Sequence, residues 1–170
     1  MAKVVEPMHC SIGVGVASEP AFEIFVRDFG RWWPIAYTYS EDQFENAVIE
    51  EQVGSRWFET ALDGSRENWG EVRAFARGRS LILSFNVSPE RKPEPPEKES
   101  EVAIRFVPAS GGTRIELEHR DLAKHGEGAE KLRQGMASRQ GWPLILACFA
   151  RETRYGLGRR ADLPDPRPAS

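Results

Sequence analysis

One histidine stands out by phase. His119 falls in step with Ile115 and Leu117, so on an alternating strand its imidazole shares their apolar face. Placed there it can act as a general acid or base, or donate a hydrogen bond to a bound ligand. The blander reading is a core histidine whose nitrogens meet backbone or water. His125 follows Lys124 in a turn and carries little functional weight. Glu59, Glu71 and Arg73 lie on strands of ambiguous parity. In one unbroken strand, Trp69 and Phe75 pointing inward would carry Glu71 and Arg73 in with them, as a buried ion pair able to anchor a polar ligand group. A bulge would return both to solvent, and Gly70 is the natural place for one.

The familiar signatures of catalysis do not occur. The chain has no G-x-x-x-x-G-K-[ST], no G-x-S-x-G and no H-E-x-x-H. Gly13-Val14-Gly15 lacks the third glycine of a dinucleotide fingerprint. Cys10, Cys148, His9, His119 and His125 show no metal-ligand spacing, so neither a metal nor another cofactor is expected. Large aromatics are the second group of interest. Trp33, Trp69, Phe85, Phe106 and Trp142, with Ile145 and His119, are the candidate lining of a ligand pocket, which is typically apolar with a few placed polar groups. The alternative is that these side chains simply close-pack as core.

The elements that must position them are legible in outline. Met8, Cys10, Ile12, Val14 and Val16 alternate with His9, Ser11, Gly13 and Gly15, a strand with one apolar face. Ser18 offers an N-cap and Pro20 a first-turn residue for a short helix, with Phe22, Phe25, Val26 and Phe29 on one stripe and Gly30 at its end. Trp32, Trp33 and Pro34 form an aromatic knot, and strands are expected near 44–51, 55–62, 67–77 and 80–87. Residues 88–100, with four prolines, read as an exposed loop. A hairpin follows, Val102-Ile104-Phe106 to Ile115-Leu117-His119, turning at Ser110-Gly111-Gly112. From about 127 to 156 the pattern is helical, with Trp142, Ile145, Leu146 and Phe149 on one stripe and Pro143 dividing the helix near Gly141. Strands joined by tight turns make an antiparallel sheet, and the last helix has the stripe to fill its concave side. The reading is one α+β domain over 1–158, with residues 159–170 a disordered tail.

Composition sets the outer bounds. Of 170 residues, 40% are hydrophobic and 29% charged, an ordinary globular balance. Lys and Arg number 23 against 26 Asp and Glu, which argues against nucleic acid as the main partner. Apolar stretches are too short to span a membrane, and Glu6, Pro7 and His9 interrupt any signal-peptide core. A cytoplasmic location with two free thiols, Cys10 and Cys148, is therefore expected. The exposed faces show no long apolar stripe that would set an oligomeric state.

Four stretches carry a resemblance: SIGVGVASEPAFEIFV, RWWP, WGEVRAFARGRSLILSF, and GTRIELEH with GWPLILACF. In this order and spacing the chain resembles the SRPBCC (START-like, helix-grip) superfamily, and within it the family related to the activator of the heat-shock protein 90 ATPase. The resemblance implies a seven-stranded antiparallel sheet gripping a long C-terminal helix, with a short helix pair after strand 1. Members of the superfamily bind lipids, sterols, polyketides or other hydrophobic molecules in a cavity between the two, and a minority catalyse cyclisation or dehydration. The leading expectation is thus non-catalytic binding of a hydrophobic or amphipathic small molecule. The runner-up is a cyclase or dehydratase using the same cavity with His119 as its weak catalytic candidate, and the third is a chaperone-related or other protein-interaction domain.

Overall fold

The computed structural model describes residues 4–162, with side chains through Arg154. Seven strands form one antiparallel sheet: β1 (Met8–Val14), β2 (Phe44–Ile49), β3 (Arg56–Ala61), β4 (Arg66–Ala76), β5 (Ser80–Phe85), β6 (Ser100–Ala109) and β7 (Gly112–Arg120). Their spatial order is β1-β7-β6-β5-β4-β3-β2. Only β1 is out of sequence, pairing with β7 from Met8 opposite His119 to Val14 opposite Thr113. Helices α1 (Ser18–Arg27) and α2 (Phe29–Trp32) follow β1, and α3 (Ala129–Ala137) and α4 (Trp142–Asp162) close the fold. This is the helix-grip α+β architecture, a curled sheet around a long C-terminal helix. The expected tail lies, from residue 163 on, outside the described residues.

Local sequence explains the details. The C-terminal helix is divided where expected: α3 ends at Ala137 and α4 begins at Trp142, so Pro143 sits in the first turn, where no amide proton is needed. Ser18 does not cap α1. The capping position is Ala17, without a side-chain hydrogen bond, and Ser18 is the first helical residue. Gly30 does not end that helix either; α1 stops at Arg27, and Gly30 lies inside α2. Its role is close approach. A Cβ there would stand 1.8 Å from Asn46 Oδ1 and 2.9 Å from the Ala47 amide nitrogen, so only glycine lets α2 lie on β2.

Strand β4 carries the expected bulge. Trp57 pairs with Gly70 and Phe58 with Asn68, leaving Trp69 as the extra residue. A second irregularity makes Arg73 extra between Val72 opposite Leu83 and Ala74 opposite Ile82. Together they let Trp69, Val72 and Phe75 turn toward the core although their numbers do not share a parity. Glu71 and Arg73 are thereby returned to the outer face. Glu71 pairs loosely with Arg56 at 3.8 Å, and Arg73 with Glu101 at 3.0 Å.

The core runs from Phe22, Phe25 and Phe29 of the first helices, across the sheet's concave side, to Trp142, Ile145, Leu146 and Phe149 of α4. No helix among the described residues is long and apolar enough to cross a membrane. Cys10 and Cys148 are free thiols, both half-buried; burial pushes the Cys10 thiol up to about 11, so it stays protonated at neutral pH.

Candidate functional site

Most of the candidate lining residues come together at one end of the sheet. Trp33 lies 5.2 Å from Trp69 and 6.0 Å from Trp142, ring centre to ring centre. Phe85 lies 6.1 Å from Trp142 and 4.7 Å from His119. Ile145, one turn beyond Trp142 on α4, is equally buried. Phe106 belongs elsewhere: it packs 5.1 Å from Phe22 and 5.6 Å from Phe25, in the core under α1. Trp57 joins the cluster instead, 5.2 Å from Trp69. At these separations the rings touch one another and pack as a continuous aromatic cluster.

Each indole in the cluster has a partner for its N–H. Trp33 Nε1 donates to the Tyr37 carbonyl at 3.2 Å and Trp57 Nε1 to the Ser84 carbonyl at 2.7 Å. Trp69 Nε1 donates to Glu59 Oε1 at 2.8 Å. The Glu59 carboxylate, 1% exposed, also accepts from the Tyr39 amide at 2.6 Å, the Ser40 amide at 2.9 Å and the Ser40 hydroxyl. A buried carboxylate with four donors is tied on every side. It pins the segment 38–41 to β3 and holds the Trp69 ring in place. Tyr39 in turn donates through Oη to Asn86 Oδ1 at 3.2 Å.

His119 is fully buried and satisfied at both ring nitrogens. Trp142 Nε1 donates to its Nδ1 at 3.0 Å, and Ser100 Oγ stands 2.8 Å from its Nε2. Burial, and secondarily the neighbouring His125, lowers its pKa from 6.5 to about 3, so the ring is neutral at pH 7. In the unfolded chain the same ring protonates near 6.5. Between pH 6.5 and 3 the unfolded state therefore binds a proton that the folded state refuses, and stability falls as pH is lowered through that window. The slope from this one group is at most about 1.4 kcal/mol per pH unit. His119→Gln is expected to flatten the fall between pH 6.5 and 4 in urea-unfolding measurements, whereas an unchanged slope would show that the ring does not carry it.

The cluster also contains residues to which the sequence drew no attention. His125, whose place in a turn gave it little weight, is 4% exposed, with Nε2 2.7 Å from Ser100 Oγ and Nδ1 on Glu94 Oε2. Glu94 comes from the proline-rich loop, whose carboxylate turns inward while the backbone stays at the surface. Ser100 had a readable signal, because it shares the inward parity of Val102, Ile104 and Phe106 at the head of β6.

A curled antiparallel sheet gripping a two-part C-terminal helix defines the helix-grip class. Within it the chain matches the Activator of Hsp90 ATPase homolog 1-like family over residues 19–152, and it belongs to that family. No match was found among curated proteins. Among solved structures, the chain is similar to an anthrahydroquino-γ-pyrone synthase, Txn09, solved in complex with a ligand designated SUM. The two are 27% identical, with a TM-score of 0.61, over 86% of this chain and 96% of the other. It also shares its fold with the self-sacrificing resistance protein CalC of Micromonospora echinospora, at 24% identity and TM-score 0.61 over 86% and 92% of the chains. Protein NE0264 of Nitrosomonas europaea has the same fold at 14% identity and TM-score 0.64, over 89% and 96%.

Proposed function

We propose that the protein binds a planar aromatic small molecule, of the kind derived from polyketides, between the concave face of the sheet and α4. The observation that carries this reading is the composition of the one cluster: Trp33, Trp57, Trp69, Phe85 and Trp142 with the buried imidazoles of His119 and His125 beside them. Flat ligands stack on such rings, and a few placed polar groups set their orientation. The similarity to a synthase solved with a ligand supports the same substrate class. Tyr37 Oη donates to the Gln140 carbonyl at 2.5 Å, joining the segment after α2 to the one before α4, and the ligand enters there.

Magnitudes bound the affinity. A three-ring ligand losing roughly 300 Å² of apolar surface gains about 7 kcal/mol at ~25 cal/mol per Å². Association and the parting of the rings subtract from that, so micromolar binding is the ceiling. Native mass spectrometry with 1,8-dihydroxyanthraquinone, 2-naphthol, oleate and cholesterol tests it. The anthraquinone is expected to form a one-to-one complex; silence across the panel would refute the reading.

A specific observation favours the second reading, a cyclase or dehydratase at the same place. The buried histidine is not isolated but tied through Ser100 and His125 to a carboxylate. Proton transfer in an apolar site needs such a group. The protein-interaction reading calls for a large exposed apolar patch. Among the described residues the exposed large apolar side chains are Val4, Ile35, Val53, Leu62 and Leu144, from five separate segments, and we do not adopt it. A cytoplasmic location remains part of the proposal.

A further inference from the structure

Four side chains and one indole form a single hydrogen-bonded line from the interior to the surface: Trp142, His119, Ser100, His125 and Glu94. Its direction follows from what each group can give. An indole nitrogen only donates, so His119 Nδ1 accepts and, in a neutral ring, Nε2 carries the proton. That N–H donates to Ser100 Oγ. The serine proton then has His125 Nε2, 2.7 Å away, as its acceptor. With His125 in a neutral form, its own proton lies on Nδ1 and is donated to the Glu94 carboxylate. Every bond points the same way, from Trp142 toward Glu94, and aligned bonds of this kind polarise one another. In this arrangement the two histidines hold opposite tautomers. The line ends on a carboxylate whose side chain is 12% exposed, in contact with water, while Ser100 and His119 are fully buried.

We propose that this line is a proton relay serving His119 Nδ1 as a general base toward a weakly acidic C–H or O–H of an aromatic ketone or phenol, with Glu94 as the proton's exit. The inference rests on the second reading above. The step balances without a co-reactant. A proton leaves the carbon next to the carbonyl for Nδ1, and its electron pair becomes the enolate. The Nε2 proton moves to Ser100 Oγ, the serine proton to His125 Nε2, and the His125 Nδ1 proton to Glu94. One negative charge has passed from Glu94 to the enolate, and neither imidazole has been left charged inside the core. This explains how a ring that burial keeps neutral can still move protons. Nδ1 becomes available when the indole of Trp142, the first residue of α4, swings off it. His119 is the catalytic residue; Ser100, His125 and Glu94 act through it.

Two measurements test the relay. In the ligand-free protein, long-range ¹⁵N–¹H correlation of labelled histidines at pH 7 reads the tautomers. Nε2–H at His119 together with Nδ1–H at His125 is expected; the same tautomer at both, or a charged ring at either, overturns the line. The second is hydrogen–deuterium exchange at C1 of 2-tetralone in D₂O, with binding read separately by saturation transfer. Exchange above the buffer rate is expected, falling at least tenfold in Glu94→Gln and Ser100→Ala while binding persists, and rising in Trp142→Phe, which frees Nδ1. A protein that binds 2-tetralone but exchanges it no faster than Glu94→Gln refutes the relay and leaves the binding reading standing. Failure of both 2-tetralone and the ligand panel to bind removes both.

Discussion

Glu59→Ala is expected to lower the unfolding free energy by about 4 kcal/mol, because it strands four donors at once. The Tyr39 and Ser40 amides, the Ser40 hydroxyl and the Trp69 indole all converge on this carboxylate. Water cannot replace the acceptor at a side chain that is 1% exposed without opening the segment 38–41. Glu59→Gln should recover only part of the loss, since its amide nitrogen would face donors. The midpoint in urea should shift with the slope unchanged, and the Tyr39 and Ser40 amides should lose protection from hydrogen exchange. A loss below about 1 kcal/mol would mean the carboxylate is not the clamp described. The effect reaches the aromatic cluster as well, because the Trp69 ring that Glu59 holds packs at a tilt against Trp33.

Gly70→Ala is expected to cost about 3 kcal/mol or more, from two independent causes. The residue sits at φ +154°, where a side chain is strained, and a Cβ would lie 2.1 Å from the Ser84 carbonyl oxygen and 2.6 Å from Trp57 Nε1. Those neighbours cannot retreat. The bulge leaves the Glu71 amide without a ladder partner, and Ser84 Oγ supplies one at 2.7 Å while the Ser84 carbonyl accepts from Trp57. Gly13→Ala is the control, since nothing stands within 4 Å of its Cβ, and it should change stability by no more than about 0.5 kcal/mol. Equal effects in the two variants would contradict the account of the bulge.

What could be read from the chain, and what could not, divides along physical lines. The bulge was legible as a conflict: Trp69 and Phe75 could not both face the core unless Glu71 and Arg73 followed, and a glycine stood between them. The break before Trp142 was legible from Gly141 and Pro143, and the inward face of His119 from two-residue alternation. Glu59 was not, because Trp57 and Phe58 on either side of the pleat are both apolar and give no parity; Phe58 lies instead under the Arg66 guanidinium, 3.4 Å from its ring centre. His125 and Glu94 were hidden for another reason. Their burial arises from contact between segments far apart in sequence, a proline-rich loop and the turn after β7, and neither has a period to betray its direction. Of the hydrogen-bonded line, His119 and Trp142 were thus visible in the sequence, and His125 and Glu94 only once the loop had folded over them.

An aromatic guest is expected to stack within the cluster between sheet and α4. The five tryptophan side chains make it directly measurable, since each indole N–H gives its own ¹⁵N–¹H signal. On titration with 1,8-dihydroxyanthraquinone, the signals of Trp33, Trp69 and Trp142 should move saturably, while that of Trp32, whose indole donates to the Phe25 carbonyl at 3.1 Å, should move least. Indole signals that stay fixed at saturating anthraquinone, or a change confined to Trp32, would contradict it.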